Sequence, residues 1–287
     1  MASMRDIKRR RISISSTQQI TKAMKLVSTV KLQKARTRAE KSKPYFNCMY
    51  ETVTSMLAKA GPIQHPYLQA REGKKVGIVV ITSNRGLAGG YNSNVIKLVT
   101  GSEWDKENIR IYAVGKKGAD SLSAKGYKVA QNYSEIIEDP IYADAQKISQ
   151  QLLSDFANGE IDEIQLAYTV FKNTVSHIPT LMQLLPVEVP DEQVGMDEAK
   201  DIAPMEFEPS AETAIELLIP KYITSILYGA FVEAVASENG ARMSAMDNAT
   251  NNADEMINDL ALKYNRARQG AITQELTEII AGAEALN

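Results

Sequence analysis

The 287-residue chain has a single cysteine, Cys48, and only two histidines, His65 and His177. One thiol excludes an intramolecular disulfide framework, and two imidazoles leave a zinc cluster without a ligand set. Both absences fit a reducing interior. There is no run of eighteen apolar residues, the length a membrane-spanning helix needs, and the N-terminal MASMRDIKRRR lacks the apolar core of a signal peptide. The chain is therefore expected to be soluble or peripheral to a membrane. Proline is missing throughout residues 237–286, and around that absence the rest of the chain is organised.

Along the proline-free stretch, small and apolar residues fall at Met243, Met246, Ala249, Ala253, Met256, Leu260, Tyr264, Ala267 and Ala271, every step being three or four. Such a narrow seam on an otherwise polar helix belongs to a coiled coil rather than to a helix lying on a core. Gly240 and Gly270 weaken it locally, each by about 1 kcal/mol relative to alanine. At 1.5 Å per residue the stretch spans on the order of 75 Å, more than the roughly 50 Å diameter of a globule of this length, so it is expected to project.

A second long helical pattern occupies the N-terminus, from about Arg5 to Ala60, with Ile20, Met24 and Val27 and then Phe46, Tyr50, Val53 and Leu57 at helical spacing. Pro44 marks a kink or a change of partner, and Gly61-Pro62 and His65-Pro66 end the helix. Between the two helical ends the pattern changes. Val76 to Thr82 is a short β-branched run of the buried parallel kind, Asn92 to Thr100 reads as a helix, and Ile109 to Val114 as a second strand. A helix over Lys117 to Ala124 leads to a strand near Tyr127 to Ala130, and the helix Tyr142 to Ala157 leads to the strand Ile164 to Phe171. Repeated strand-helix units give a largely parallel sheet. Met182 to Val189 reads as one more strand, residues 191–209 as an acidic loop, and from Ala211 the helical pattern resumes, with a kink expected at Pro220.

The fold class is therefore α/β plus an all-α extension, in which a long antiparallel coiled coil of N- and C-terminal helices carries a central Rossmann-like α/β domain. The segments are 1–60 for the first helix, 75–190 for the α/β domain, 191–209 for the acidic loop and 210–287 for the last helix. The first helix runs into the α/β domain and the last runs out of it, so they can pair only antiparallel. Their unequal lengths leave about 21 residues, roughly 30 Å, of the last helix without a partner in the chain. That tip carries Ile272, Leu276, Ile279, Ile280 and Leu286, an apolar strip that something outside the chain should cover.

Net charge is only −2, but residues 1–43 hold thirteen Lys or Arg against Asp6 and Glu40. A solvated helix face, an acidic protein partner and nucleic acid are the three readings of so basic an arm. Nucleic-acid binding is the alternative function, opposed by the lack of a sustained leucine zipper and of interleaved aromatics in residues 1–43. An α/β enzyme would need a cofactor loop or a catalytic constellation. The glycines of SNRGLAGGYN, residues 83–92, follow a strand and precede a helix, but neither G-x-G-x-x-G nor G-x-x-x-x-G-K-[ST] is present. A tight turn with close helix-to-strand packing is the better reading there, and Gly115-Lys116-Lys117-Gly118 is a weaker phosphate-loop candidate still. His65 lies in a proline-bounded turn and His177 in a loop before Pro179, with no serine or cysteine motif beside either. The acids of residues 188–212 lack the spacing of a calcium loop. No catalytic, cofactor or metal residue is assigned.

Four stretches carry a family resemblance: TQQITKAMKLVSTVKLQKA (17–35), SNRGLAGGYNSN (83–94), SENGARMSAMDNATNNA (237–253) and YNRARQGAITQELTEIIAGA (264–283). Together they resemble the gamma subunit of a bacterial F-type ATP synthase, in order and over the whole chain. ITQELTEIIAGA is the most specific of them. The chain lacks the cysteine pair of redox-regulated chloroplast forms. The resemblance implies a central rotor shaft that couples rotation of a proton-driven c-ring to conformational cycling of the catalytic beta subunits, with no catalytic site of its own. It implies alpha, beta, epsilon and c-ring subunits as partners, one gamma per three alpha and three beta, no nucleic acid, and a peripheral place on the cytoplasmic face of the bacterial membrane, held there only through the c-ring. Carried over residue by residue, contacts with the alpha-beta hexamer fall on Arg268, Gln269, Thr273 and Glu275 near the tip, Arg242 lower on the shaft and Met24 on the paired helix, with Ile279 and Ile280 at the apolar end. Met205, Phe207 and Glu208 match the face toward the c-ring and epsilon.

Overall fold

The computed structural model describes residues 4–59, 64–71, 73–174, 176–187, 207–208 and 210–284. Gly61-Pro62, Leu286, Met205 and the rest of the acidic loop other than Phe207 and Glu208 lie outside the described residues. Two helices dominate, α1 (Met4–Lys59) and α5 (Ala211–Glu284). Both run through an internal proline, Pro44 in α1 and Pro220 in α5, each of which removes one N–H from the helical ladder. The chain divides into two compact units, Val30–Ala241 and Met1–Thr29 with Arg242–Asn287.

In the unit Val30–Ala241, the strands β1 (Val76–Ile81), β2 (Ile109–Val114), β3 (Lys128–Asn132), β4 (Glu163–Phe171) and β5 (His177–Leu185) form one sheet in the order β3-β2-β1-β4-β5. The first four are parallel, and β5 joins β4 antiparallel. Between them lie the helices α2 (Tyr91–Thr100), α3 (Lys116–Ala124) and α4 (Tyr142–Ala157).

The period-2 alternation of the central strands sorts their side chains onto two buried faces. Val79, Ile81, Tyr112, Val114, Ile164 and Leu166 meet α4 (Ile148, Leu152, Phe156), α1 (Val53, Met56) and α5 (Ile215, Ile219, Ile223, Leu227, Phe231). Val76, Ile78, Val80, Ile109, Ile111 and Ala113 meet α2 (Val95, Val99) and α3 (Ala119, Leu122) on the other face. Burial on both faces is what made these strands read as continuous apolar runs. α5 is also apolar enough over an eighteen-residue window, mean hydropathy 1.4, to resemble a membrane span, but 56% of that window is buried within the protein.

One strand differs from its expectation. β5 runs from His177 to Leu185 rather than from Met182 to Val189, so His177 lies in a strand and not in a loop. Pro179 reads as a turn signal in sequence. It is tolerated here because β5 is an edge strand, where a missing N–H breaks no second ladder.

In the other unit, α1 and α5 pair antiparallel. Arg11 lies over the Tyr264 ring at 5.9 Å, Gln18 bonds to Asp254, the Thr21 and Thr250 hydroxyls meet at 2.8 Å, and the Lys25 ammonium reaches Asp247 at 2.6 Å. As the number rises on one helix it falls on the other.

The α5 seam follows the expected spacing with one correction. Met246, Ala253 and Leu260 are buried, but Met256 is 52% exposed and its neighbour Ile257 turns inward instead. From Ala253 the inward residues then continue at Ile257, Leu260, Tyr264, Ala267 and Ala271, alternating steps of four and three as a coiled-coil seam requires. The α1 side needs a larger correction, because Ile20 and Val27 are 60% and 58% exposed while Thr21 and Ser28 are buried. Small hydroxyl side chains let the backbones approach closely, and Thr21 satisfies its polar group against the Gln18 carbonyl and Thr250, so its burial costs little.

Candidate partner-binding surface

Beyond Ala271 every described side chain of α5 is exposed. Ile272, Leu276, Ile279 and Ile280 are 48%, 55%, 68% and 59% accessible. Helical spacing sets Arg268, Ile272, Glu275 and Ile279 in one row and Gln269, Thr273, Leu276 and Ile280 in the next. The polar and apolar residues implied for partner contact thus share adjacent faces of one bare helical end. Thr273 is locked to it by a hydroxyl bond to the Gln269 carbonyl at 2.9 Å.

Met24 lies half-buried on α1, flanked by Thr21 and Lys25 of the pairing contacts. Arg242 differs from the tip residues, being only 8% exposed. In the other unit, Phe207 packs against the larger core cluster and Glu208 is exposed.

Sequence periodicity missed an outward apolar strip on α1, formed by Ile12, Ile20, Leu26 and Val27 at 56%, 60%, 63% and 58% exposure. The signal was present, since Leu26 and Val27 are adjacent and cannot both face one partner helix. Within residues 4–29, seven Lys or Arg stand against Asp6 alone. The ion pairs Lys25 to Asp247 and Arg9 to Asp6 in this stretch are both solvent-exposed and each is worth about 0–1 kcal/mol. The flank is an electropositive surface of the unit.

The glycine-rich segment after β1 is a closed turn. The Ser83 N–H donates to the Asn92 carboxamide oxygen at 2.9 Å, the Asn84 amide donates to the Ser134 carbonyl at 2.7 Å, and the Lys116 N–H donates to the Asn84 oxygen at 2.9 Å. Gly115 has a φ of 121°, and a Cβ there would stand 2.1 Å from the Thr82 carbonyl oxygen. Glycine at 115 therefore answers to backbone packing. Among the described residues no group of three or more His, Cys, Asp or Glu is placed to hold a metal ion. Burial lowers the pKa of His65, against the opposing pull of Glu216 and Glu212, and burial alone lowers that of His177. At Tyr168, burial, aided by Glu233, raises the phenol to about 12.

An antiparallel helix pair with an exposed apolar end and a five-stranded α/β sheet whose glycine-rich turn is held by hydrogen bonds to Asn92, Lys116 and Ser134 define the class of the chain, a two-helix stalk together with an α/β unit. A family model described as ATP synthase matches residues 3–286. An ATP synthase gamma chain from Lachnoclostridium phytofermentans is 61% identical over the full length of both chains. One from Acetobacterium woodii, named as sodium ion specific, is 42% identical over 99% of each. Among solved structures, the central stalk and c-ring assembly of Tetrahymena thermophila mitochondrial ATP synthase contains a chain that matches with a TM-score of 0.61 and 26% identity, over 80% of this chain and 99% of that one. This chain belongs to the ATP synthase gamma-chain family, the non-catalytic stalk subunits of that complex.

Proposed function

We propose that the chain is the central rotor shaft of a bacterial ATP synthase, turning with a membrane c-ring and driving three catalytic beta subunits through their conformations. The observation that carries this reading is the bare end of α5, where Ile272, Leu276, Ile279 and Ile280 stand in water on a helix that has outrun its partner. Exposed apolar side chains on adjacent rows of a bare helix end suit contact with a surrounding sleeve of protein. The exposed polar residues Arg268, Gln269, Thr273 and Glu275, interspersed with the apolar ones on two adjacent rows, supply directional contacts to beta, Met24 and the small exposed part of Arg242 act lower on the helix pair, and Phe207 and Glu208, with Met205, meet the c-ring and epsilon.

Two unlike helices have no rotational symmetry, so three copies of one partner around them meet different faces. Partners with several conformations of similar energy are then biased to different ones. That reading requires one such chain per three alpha and three beta subunits, on the cytoplasmic face of the membrane, with no nucleic acid. The proposed coupling ion is the proton. Because a relative is named as sodium ion specific, synthesis by the reconstituted complex under a proton gradient in sodium-free buffer tests the ion separately.

Native mass spectrometry of the purified complex should show one copy per hexamer, and deletion from Ile279 onward should weaken assembly while leaving the sheet folded. Two copies per hexamer, or full-strength assembly after the deletion, would overturn the rotor reading.

A further inference from the structure

Residues 64–71 lie between α1 and β1 as a short strap with a turn at Pro66 to Leu68. The Leu68 N–H donates to the His65 carbonyl at 2.9 Å, and the Tyr67 carbonyl accepts the Val187 N–H at 2.8 Å. The Tyr67 ring stands 6.1 Å from the Phe156 ring at the end of α4. Further along, the Arg71 guanidinium lies 3.8 Å over that same ring and donates to the Phe156 carbonyl at 2.7 Å. Tyr67 and Leu68 thus pack on the larger core cluster, in which Phe156 is fully buried.

The side chain of His65 fixes the start of this turn. Its Nδ1 accepts the Tyr67 N–H at 3.2 Å, and the two rings lie 4.8 Å apart, centroid to centroid. An imidazole nitrogen accepts only while it carries no proton, and the imidazolium has two donors and no acceptor. Protonation therefore breaks this bond and sets two N–H groups against each other. Glu216 and Glu212, one helical turn apart at the start of α5, are the charges that act on the imidazole among the described residues, and Tyr67 is the titratable neighbour within its own turn. Bonds from its own N–H and from Ser210 hold the Glu212 carboxyl below the usual range, so it stays ionised while His65 titrates. Burial outweighs both acids and lowers the imidazole below its ordinary value of 6.5. At neutral pH the ring is uncharged and its Nδ1 is free to accept.

We propose that His65 is a pH-sensitive latch: neutral, it holds the strap 64–71 against the core beside α4, and protonated, it releases the Tyr67 N–H and turns toward Glu212 and Glu216 on α5. The sign follows from linkage. A histidine whose affinity for protons is lower in the closed strap than in the open one favours closure fully above its ordinary value, and progressively less as pH falls below it. Loss of one such hydrogen bond shifts the balance between closed and open strap about tenfold. The response falls on the acid side of neutrality, a range that histidine alone covers among unperturbed side chains.

The test follows the full chain by NMR from about pH 7.5 to about pH 5, reading the Cε1–H resonance of His65 together with the Tyr67 and Leu68 amides. The Tyr67 amide should shift with the same midpoint as His65, below 6.5, while the amides of β1 stay in place. Its protection against exchange, corrected for the intrinsic effect of pH, should fall about tenfold across that midpoint. His65→Gln keeps an acceptor that does not titrate and should abolish both changes. Glu216→Gln should lower the His65 midpoint, because Glu216 favours the imidazolium. A Tyr67 amide that stays still through the His65 midpoint would overturn the latch, even if His65→Gln failed to fold. So would an acid response of the strap that survives in His65→Gln, or a His65 midpoint that Glu216→Gln leaves in place or raises.

Discussion

Leu260 lies in the seam between α1 and α5 with 9% of its surface exposed, and Leu260→Ala measures what that seam contributes. Burying a leucine and then deleting it costs about 2–5 kcal/mol, depending on how far the surroundings close over the gap. A seam between only two helices is open to water along both flanks and can relax, which sets the expected loss at the low end, about 2 kcal/mol. At 1.4 kcal/mol per tenfold, amide exchange in the paired stretch should accelerate about 30-fold. Hydrogen exchange read by mass spectrometry on the full chain resolves the effect by peptide. Peptides from residues 8–27 and 246–267 report on the paired helices, while β1 and β2 belong to the other compact unit and should keep their protection. Met256→Ala is the control, because Met256 is 52% exposed and its loss should stay within about 0.5 kcal/mol. If Met256→Ala loosens the helices as much as Leu260→Ala, the seam runs through the wrong residue. Equal acceleration in β1 would show that the two units open as one.

Gly115→Ala should lower the urea midpoint, because the new Cβ meets the Thr82 carbonyl oxygen at 2.1 Å on a backbone with φ of 121°; strain and overpacking together predict a loss of about 3 kcal/mol, and a loss under about 1 would contradict the packing described. Glu233 has one carboxyl oxygen buried without a partner, and burial raises its pKa against the opposing effects of the Phe171 N–H and Lys43, with Tyr168 also facing it. A raised carboxyl pKa means stability fully present below the ordinary glutamate value of about 4.3 and lost as pH climbs through the raised value. Glu233→Gln should therefore match the wild type near pH 4 and exceed it at neutral pH in denaturant melts; a variant that is less stable at neutral pH would show that the carboxylate is satisfied.

The α/β part was legible because both of its faces are buried. β2 and α4 fall on the residues that periodicity marks, Ile109 to Val114 and Tyr142 to Ala157, since there apolarity and burial coincide. β5 was misplaced because an edge strand half open to solvent needs neither a continuous apolar run nor an unbroken set of N–H groups, and Pro179 with the polar residues around it resembles a turn. For the partner-binding surface, the existence of a bare tip followed from counting the lengths of two helices, but the count of about 21 residues was too long, because inward positions continue to Ala271 and only 272–283 stand exposed. The α1 face did not follow, because periodicity assumes that apolar side chains face the partner helix. Here the inward positions are Thr21 and Ser28, and Ile20 and Val27 turn out.

That inversion carries a physical argument about the paired helices. In an isolated pair the large apolar residues belong in the seam and the small hydroxyls outside, since each buried Ile or Val side chain contributes about 1.5–3 kcal/mol. α1 does the reverse at Ile20, Val27, Thr21 and Ser28, giving up internal stability for a close helix approach and an apolar outer strip. Such an arrangement is favourable only if the outer strip is itself covered, and in the rotor reading the surrounding hexamer covers it. Lys22 stands exposed beside the strip on α1, one turn before Leu26, while Lys25 reaches across the seam to Asp247, so the strip is not a featureless apolar bearing. It offers a surrounding subunit apolar contact at one angle and positive charge at another. The tip likewise sets Arg268 and Glu275 in one row with Ile272 and Ile279, so both the tip and the basic α1 flank are suited to distinguish one angle from the next.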